Sequence, residues 1–325
     1  MEKIKFLTMA ALATAFFASC SNEDGLPQSN YPADNVVRIT TSVDGMNTRA
    51  SYGGSTAKLS SFGFCINNAG SDKYTYDNIK VTQENGKWNP ATQMLWQNST
   101  TAVDILAYAP YQANGKVKVF GKSDYAFSVK EDQSNAEDYS SDLIVYKQTG
   151  FKPESDLNTN QAVNVAFTHL LSQLNLTIEL RDQFNQDEKK PVTSATVTDV
   201  KVNGTIISSK VDFSASPISV QVDDTQEATA ITPETTEFKA AGKTTDHAAF
   251  NYSAIVIPQT VTAGNFSISF KVDGTDYIWT STSDVNFVSG NKHQLSLLVG
   301  KDVVQVKGIT ATPWGKENIT QGETD

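Results

Sequence analysis

The sequence predicts an all-β protein built from two antiparallel β-sandwich domains in tandem. Three observations carry that expectation. Apolar and polar residues alternate in many short runs, the period of a strand with one buried face. Turn dipeptides such as Asn85-Gly86, Asn203-Gly204 and Asp273-Gly274 separate those runs. Hydrophobic content is 39% and charged content 19%, and the balance goes to Ser, Thr, Asn and Gln, which suits sheets with one wet face. A chain of 325 residues has room for one or two such domains.

The chain opens with Lys3 and Lys5, then an apolar run over 6–18 that is too short to span a membrane. The run ends Phe17-Ala18-Ser19-Cys20. Small residues directly before a Cys resemble the bacterial lipobox. That resemblance implies that 1–19 is a lipoprotein signal peptide, with cleavage before Cys20 and lipidation of Cys20 by acyl chains such as palmitate. Residues 20–34 follow as a polar tether, with Ser21-Asn22-Glu23-Asp24 at its start. That acidic run is similar to the surface-export signals of some Gram-negative lipoproteins, and it equally suits a solvated linker.

The first strand is expected over 36–43, with Val37, Ile39, Thr41 and Val43 on one face and Arg38, Thr40 and Ser42 on the other. It is followed by Asp44-Gly45, then Asn47-Thr48-Arg49-Ala50 and the small residues Ser51-Tyr52-Gly53-Gly54. A lone Arg between a complete strand and a flexible stretch suits protease access. Strands are next expected around Phe62, Phe64 and Ile66, around Ile79 and Val81, and over 103–111, which is apolar on both faces as in a central strand. Ala113-Asn114-Gly115 turns the chain into a run with Val117 and Val119, and 143–146 forms another short strand. The polar stretch 150–161 is the expected domain boundary, giving an N-terminal sandwich over 35–155 and a C-terminal one over 156–310.

In the second half the alternation returns at Val163, Val165 and Phe167, at Leu174 to Leu180, at Val200 and Val202, and at Ile218 to Val222. It continues over 254–257, at Phe266 to Val272, at Tyr277 and Trp279, and at Leu295 to Val299. One helical turn is expected near 169–173. Residues 303–309, with Val303, Val304, Val306 and Ile309, form a last strand before a tail over 311–325.

The charge of −10 repels phosphates and argues against a nucleic-acid partner. Cys20 and Cys65 are the only cysteines, so no disulfide framework is expected, and Cys65 reads as a packed residue on the sheet face opposite Phe64. His169, His247 and His293 lie apart and have no ligand at metal spacing, so no metal and no cofactor are expected, and His169 reads as a satisfied buried histidine. The acidic pairs Glu131-Asp132, Glu137-Asp138 and Asp223-Asp224 lack the spacing of a calcium loop and read as solvated turns. No nucleophile elbow, phosphate loop, dinucleotide fingerprint or zinc pattern is present, so no enzyme is expected. A hydrolase would need carboxylates that face each other across a cleft. Trp88, Trp96, Trp279 and Trp314 read as core or rim anchors, with a sugar platform as the alternative.

Several pieces, taken together and in order, resemble the fimbrillin family, the subunits of type V pili. They are the Cys20 lipobox, the strand ending at Thr48-Arg49-Ala50, Gly86-Lys87-Trp88-Asn89-Pro90, Leu95-Trp96 and the strand over 103–111. The series continues with 167–174 (FTHLLSQL), 290–295 (GNKHQL) and Thr312-Pro313-Trp314-Gly315. The resemblance implies two transthyretin-like sandwiches and export to the outer membrane on a lipid at Cys20. It further implies a cut after Arg49 by a trypsin-like protease, which frees Ala50 as the new N-terminus. The first strand then leaves, and a C-terminal strand of the next subunit takes its place. Val303, Val304, Val306 and Ile309 mark the candidate donor. The expected partners are other pilus subunits, the outer-membrane lipid before processing, the protease, and a host protein or glycan at the fimbrium. The alternative is a surface-anchored lipoprotein or tip adhesin that binds glycan or host protein without polymerising.

Overall fold

A computed structural model describes residues 30–43, 58–113, 118–185, 191–242 and 247–314. The chain runs through β1 (Arg38–Val43), β2 (Ser61–Asn67), β3 (Tyr76–Glu84), β4 (Lys87–Pro90), β5 (Val103–Ala109), β6 (Tyr125–Ser128) and β7 (Ile144–Phe151). A single turn of helix, α1 (Pro153–Asp156), leads to β8 (Ala162–His169) and β9 (Ser172–Leu180). Then come β10 (Val197–Asn203), β11 (Ser208–Asp212), β12 (Ser219–Val222), β13 (Glu234–Lys239), β14 (Ala248–Val256) and β15 (Gln259–Val261). The last strands are β16 (Ser267–Val272), β17 (Thr275–Thr280), β18 (Val285–Phe287), β19 (Asn291–Gly300) and β20 (Val303–Pro313).

A seven-stranded sheet, ordered β1-β8-β7-β5-β2-β3-β4, makes up the first half. β2 lies inside it, so both its faces are covered: Phe62, Phe64 and Ile66 enter one core and Cys65 enters another. At the β3–β4 turn Asn85 and Gly86 both take positive φ (51° and 75°), as a two-residue hairpin loop requires. The sheet curls until its ends approach each other. Beyond the end of β1, Val37 N–H donates to Met94 O (3.0 Å) and Trp96 N–H donates to Asn35 O (2.8 Å). The seam is therefore hydrogen-bonded at one end, while β1 and β4 are not paired with each other. The core inside the curl gathers Val37, Ile39, Val43, Phe62, Phe64, Trp96, Ile105 and Phe167.

In the second half a five-stranded sheet, ordered β13-β14-β9-β19-β20, faces the sheet β10-β16-β17. The core between them continues to the outer face of the first sheet. There a small sheet of β12, β11 and β6 brings Tyr125 and Phe213 against Tyr108, with ring centroids 5.7 and 5.8 Å away.

The pairing corrects several expectations. β8 lies beyond the expected boundary between 155 and 156, yet it pairs with β1 and β7 in the first sheet. β6 lies before that boundary, yet it pairs with β11. Residues 150–161 end β7 and connect it through α1 to β8, inside the first sheet. The helical turn expected near 169–173 is instead the corner between β8 and β9, and the helical turn falls at α1, where Pro153 starts it. Val119 is buried but belongs to no strand, and its N–H is held by the Asp77 carboxylate at 3.0–3.1 Å.

Candidate functional site

The strand expected to be removable is β1. It is the terminal strand of its sheet. Among the described residues its only ladder is a parallel one to β8, from Arg38↔Ala162 to Val43↔Phe167. Its inner face is well covered: Val37 is 3% exposed, Ile39 7% and Val43 7%. Thr41 shares that face, and its Oγ1 is buried with no hydrogen-bond partner among the described residues. An unsatisfied buried hydroxyl costs about 1–3 kcal/mol, so Thr41 weakens the seat that its neighbours create. On the outer face Asn158 Nδ2 donates to Thr40 Oγ1 (2.9 Å), and Arg38 forks onto Asp34 (3.0 and 2.6 Å). The Arg38 guanidinium holds the Asp34 carboxyl below the usual carboxylate range.

A groove of about 840 Å³ runs between β1 and the β3–β4 hairpin. Residues 36–41 line one wall, 86–90 the other, and Asn160 closes an end. Among the described residues each wall is a strand with one unpaired edge, which leaves backbone donors and acceptors for a further strand. Cys20, Arg49 and Ala50 lie outside the described residues, as does the apolar run over 6–18.

The candidate donor residues Val303, Val304, Val306 and Ile309 all lie on β20, a strand of 11 residues at the edge of its sheet. Among the described residues β20 pairs with β19 alone. Its side chains are mostly exposed, with Val303 at 43%, Val306 at 46% and Ile309 at 41%. A bulge opposite Ser296 and Leu297 leaves Lys307 as the extra residue, and Lys307 Nζ reaches the Glu179 carboxylate (2.9 Å).

The end of β20 meets a buried cluster. The Trp314 ring stacks on His169, with centroids 3.8 Å apart and planes 4° from parallel. His169 Nδ1 lies 2.9 Å from Asp142 Oδ1, and both side chains are almost fully buried. Lys292 Nζ lies 5.7 Å from the centroid of the Trp314 ring, and burial lowers the Lys292 pKa. Trp314 N–H donates to Gly290 O (2.7 Å). Trp314 Nε1 is buried with no hydrogen-bond partner among the described residues. Burial of the ring and its stacking stabilise the seat, and the orphaned donor offsets about 1–3 kcal/mol of that.

The remaining candidates take structural places. His169 is the satisfied buried histidine expected. His293 Nε2 accepts the Val288 N–H (3.1 Å), and burial lowers its pKa. Trp96 stacks on Phe151, Trp88 meets Phe62 edge-on, and Trp279 meets Phe266 edge-on. Cys65 is fully buried, and burial pushes its thiol pKa up. Asp132, Asp138 and Asp223 each accept the N–H two residues on, so they close their own turns. Burial works to raise the Asp138 pKa, but Lys130 and Ser140 hold it at about 2. Among the described residues no group of three or more His, Cys, Asp or Glu could hold a metal ion. Asp142 was not singled out by sequence reasoning, and the meeting of His169, Lys292 and Trp314 has no local signal. Asp142 and His169 are 27 residues apart, and no periodicity links them.

The match to the fimbrillin-like family model covers residues 48–314, and the chain belongs to that family. A pilus-subunit role and a cell-surface or fimbrial location follow from that membership. The fold is similar to that of a candidate cell adhesion protein from Bacteroides uniformis, at 19% identity and a TM-score of 0.55 over 87% of this chain and 99% of that one. It is also similar to a candidate cell adhesion protein from Bacteroides ovatus, at 14% identity and a TM-score of 0.61 over 88% of this chain and 100% of that one. A fimbrial protein from Bacteroides vulgatus aligns at 17% identity and a TM-score of 0.52 over 85% and 99%. No curated protein matches the sequence.

Proposed function

We propose that the chain is a pilus subunit exported as a lipoprotein on Cys20 and matured by a trypsin-like cut between Arg49 and Ala50. The cut frees β1 together with the lipid. A strand from the next subunit then pairs with β8 and covers Phe62, Phe64 and Phe167. Two β-sandwiches of transthyretin-like type fit this reading, with the division at the corner between β8 and β9.

The observation that carries it is the seat of β1. That strand supplies two buried apolar side chains, with Val37 just before it a third, but among the described residues it holds the sheet by one ladder. Its departure exposes an apolar groove and an unpaired edge while every other ladder stays intact, and an incoming strand satisfies both needs. β20 is the donor we favour, because it is long, apolar along part of its exposed face, and paired on one edge only. Before maturation the lipid keeps the subunit at the outer membrane, and afterwards it belongs to the fimbrium, where adhesion involves a host protein or glycan.

The test is low-dose trypsin on the folded precursor, followed by reading of the new N-terminus. The expected result is Ala50 as the first residue, and loss of β1 with retention of the rest. Cuts elsewhere with Arg49 intact overturn the proposal.

A second reading is a surface lipoprotein or tip adhesin that binds glycan without polymerising. The groove favours it to the extent that Trp88, Gln83, Asn89 and Asn160 offer a ring and amides to a sugar. Binding on a glycan array that Trp88→Ala abolishes supports this reading, and a blank array removes it.

A further inference from the structure

We propose that Asp142, His169, Lys292 and Trp314 form a latch that holds the C-terminal strand on its own subunit and opens when β1 leaves β8. The inference rests on the pilus reading above and adds to it the control of strand release.

Three sequence motifs that are far apart in the chain meet at this one point. His169 ends β8, Lys292 and Gly290 stand at the start of β19, and Trp314 follows β20. Along most of β20 the side chains face water, and Trp314 is its buried anchor. Pro313 lies opposite Asn291 with its nitrogen on the open edge, and the next N–H, that of Trp314, closes the ladder at this end. The strand is thus fixed at its tip by the Trp314 ring on His169 and by one hydrogen bond to Gly290 O. The orphaned Trp314 Nε1 gains a water partner on release, which offsets part of the cost of exposing the ring.

The coupling runs along β8. β1 pairs with β8 at six positions, Ala162 to Phe167, whereas β7 pairs with it only at Thr168 and His169. When β1 departs, β8 loses its neighbour at six positions, and His169 is held by those two pairs, by the Leu170 N–H on Leu143 O (2.9 Å) and by Asp142. The seat of Trp314 then rests on a strand supported at one end, and β20 becomes free to pair elsewhere. Loss of β1 thereby permits donation of β20, so an unprocessed subunit keeps its donor strand at home.

Amide hydrogen exchange on the full chain tests this without cleavage or polymerisation. Trp314→Ala is expected to speed exchange over 303–313 at least tenfold while peptides from β14 and β16 keep their rates. An unchanged rate over 303–313 overturns the latch. Trp314→Phe keeps a ring on His169 and removes the orphaned N–H, so exchange there is expected to be no faster than in the natural chain. A tenfold acceleration in Trp314→Phe overturns the stacking argument, and this variant decides the matter if Trp314→Ala does not fold. Ile39→Ala, which loosens β1, is expected to speed exchange over 303–313 as well as over 162–167. Acceleration confined to β1 and β8 overturns the coupling. A precursor that resists trypsin at Arg49 would sink the pilus reading while these exchange rates still report on the latch.

Discussion

The two end strands, β1 and β20, are both sheet edges, but they are held in opposite ways. β1 is short and turns an apolar face into a core. β20 is nearly twice as long and leaves most of its side chains in water. One strand is kept by burial and the other by its ladder and a single buried ring. Burial stabilises the place a strand occupies, so losing β1 leaves a site that needs filling. A ladder on an exposed edge can be exchanged for another at little cost, so β20 can move. Each strand also sets one polar atom in a dry place, Thr41 Oγ1 and Trp314 Nε1. Both seats are therefore less stable than their packing alone would make them.

The largest expected break of this comparison comes from paired truncations. Ile39→Ala is expected to cost about 2–4 kcal/mol, since it empties a buried site. Ile309→Ala is expected to change stability by less than about 0.5 kcal/mol, since it trims an exposed side chain. Urea denaturation of both variants checks this, and equal losses would erase the distinction between the two strands. A smaller effect is expected at Thr41. Thr41→Val keeps the shape and removes the orphaned hydroxyl, which should stabilise the precursor by about 1 kcal/mol and slow release of β1 after cleavage. A loss of stability would mean that the hydroxyl has a partner. The smallest effect concerns pH. His293 backs the latch end of β20 and has a lowered pKa through burial. The unfolded chain therefore binds the proton more readily, so stability present above an unfolded pKa of about 6.5 falls as pH drops below it. Denaturation midpoints at pH 7 and pH 5, compared with His293→Gln, check whether that slope belongs to His293.

How much was legible in the sequence differs between the same two regions. The alternation of Val37, Ile39, Thr41 and Val43 reveals β1 and its inner face, because period two is a local property. The same holds for β2, β9, β16 and β19, whose apolar rows sit where the alternation places them, and β5 is covered on both faces as its continuous apolar run implies. The motifs 167–174, 290–295 and Thr312-Pro313-Trp314-Gly315 were also visible, but only as separate pieces. Short strands such as β6, β13, β15 and β18 escaped, since three to six residues give too little periodicity. The boundary was misplaced because a polar stretch with a proline marks a connection and does not say which strands it connects.

The sequence by itself determined that this chain is all-β, which faces of its strands are apolar, and that it is a fimbrillin-like subunit with an Arg after its first strand. Those properties depend on neighbours along the chain. Only the tertiary structure decided that β1 is an edge strand, that β8 crosses the expected boundary to hold it, and that Trp314 rests on His169. Those facts depend on which strand edges find each other in space, and backbone hydrogen bonding is the same for every sequence, so side-chain pattern alone does not choose the partner.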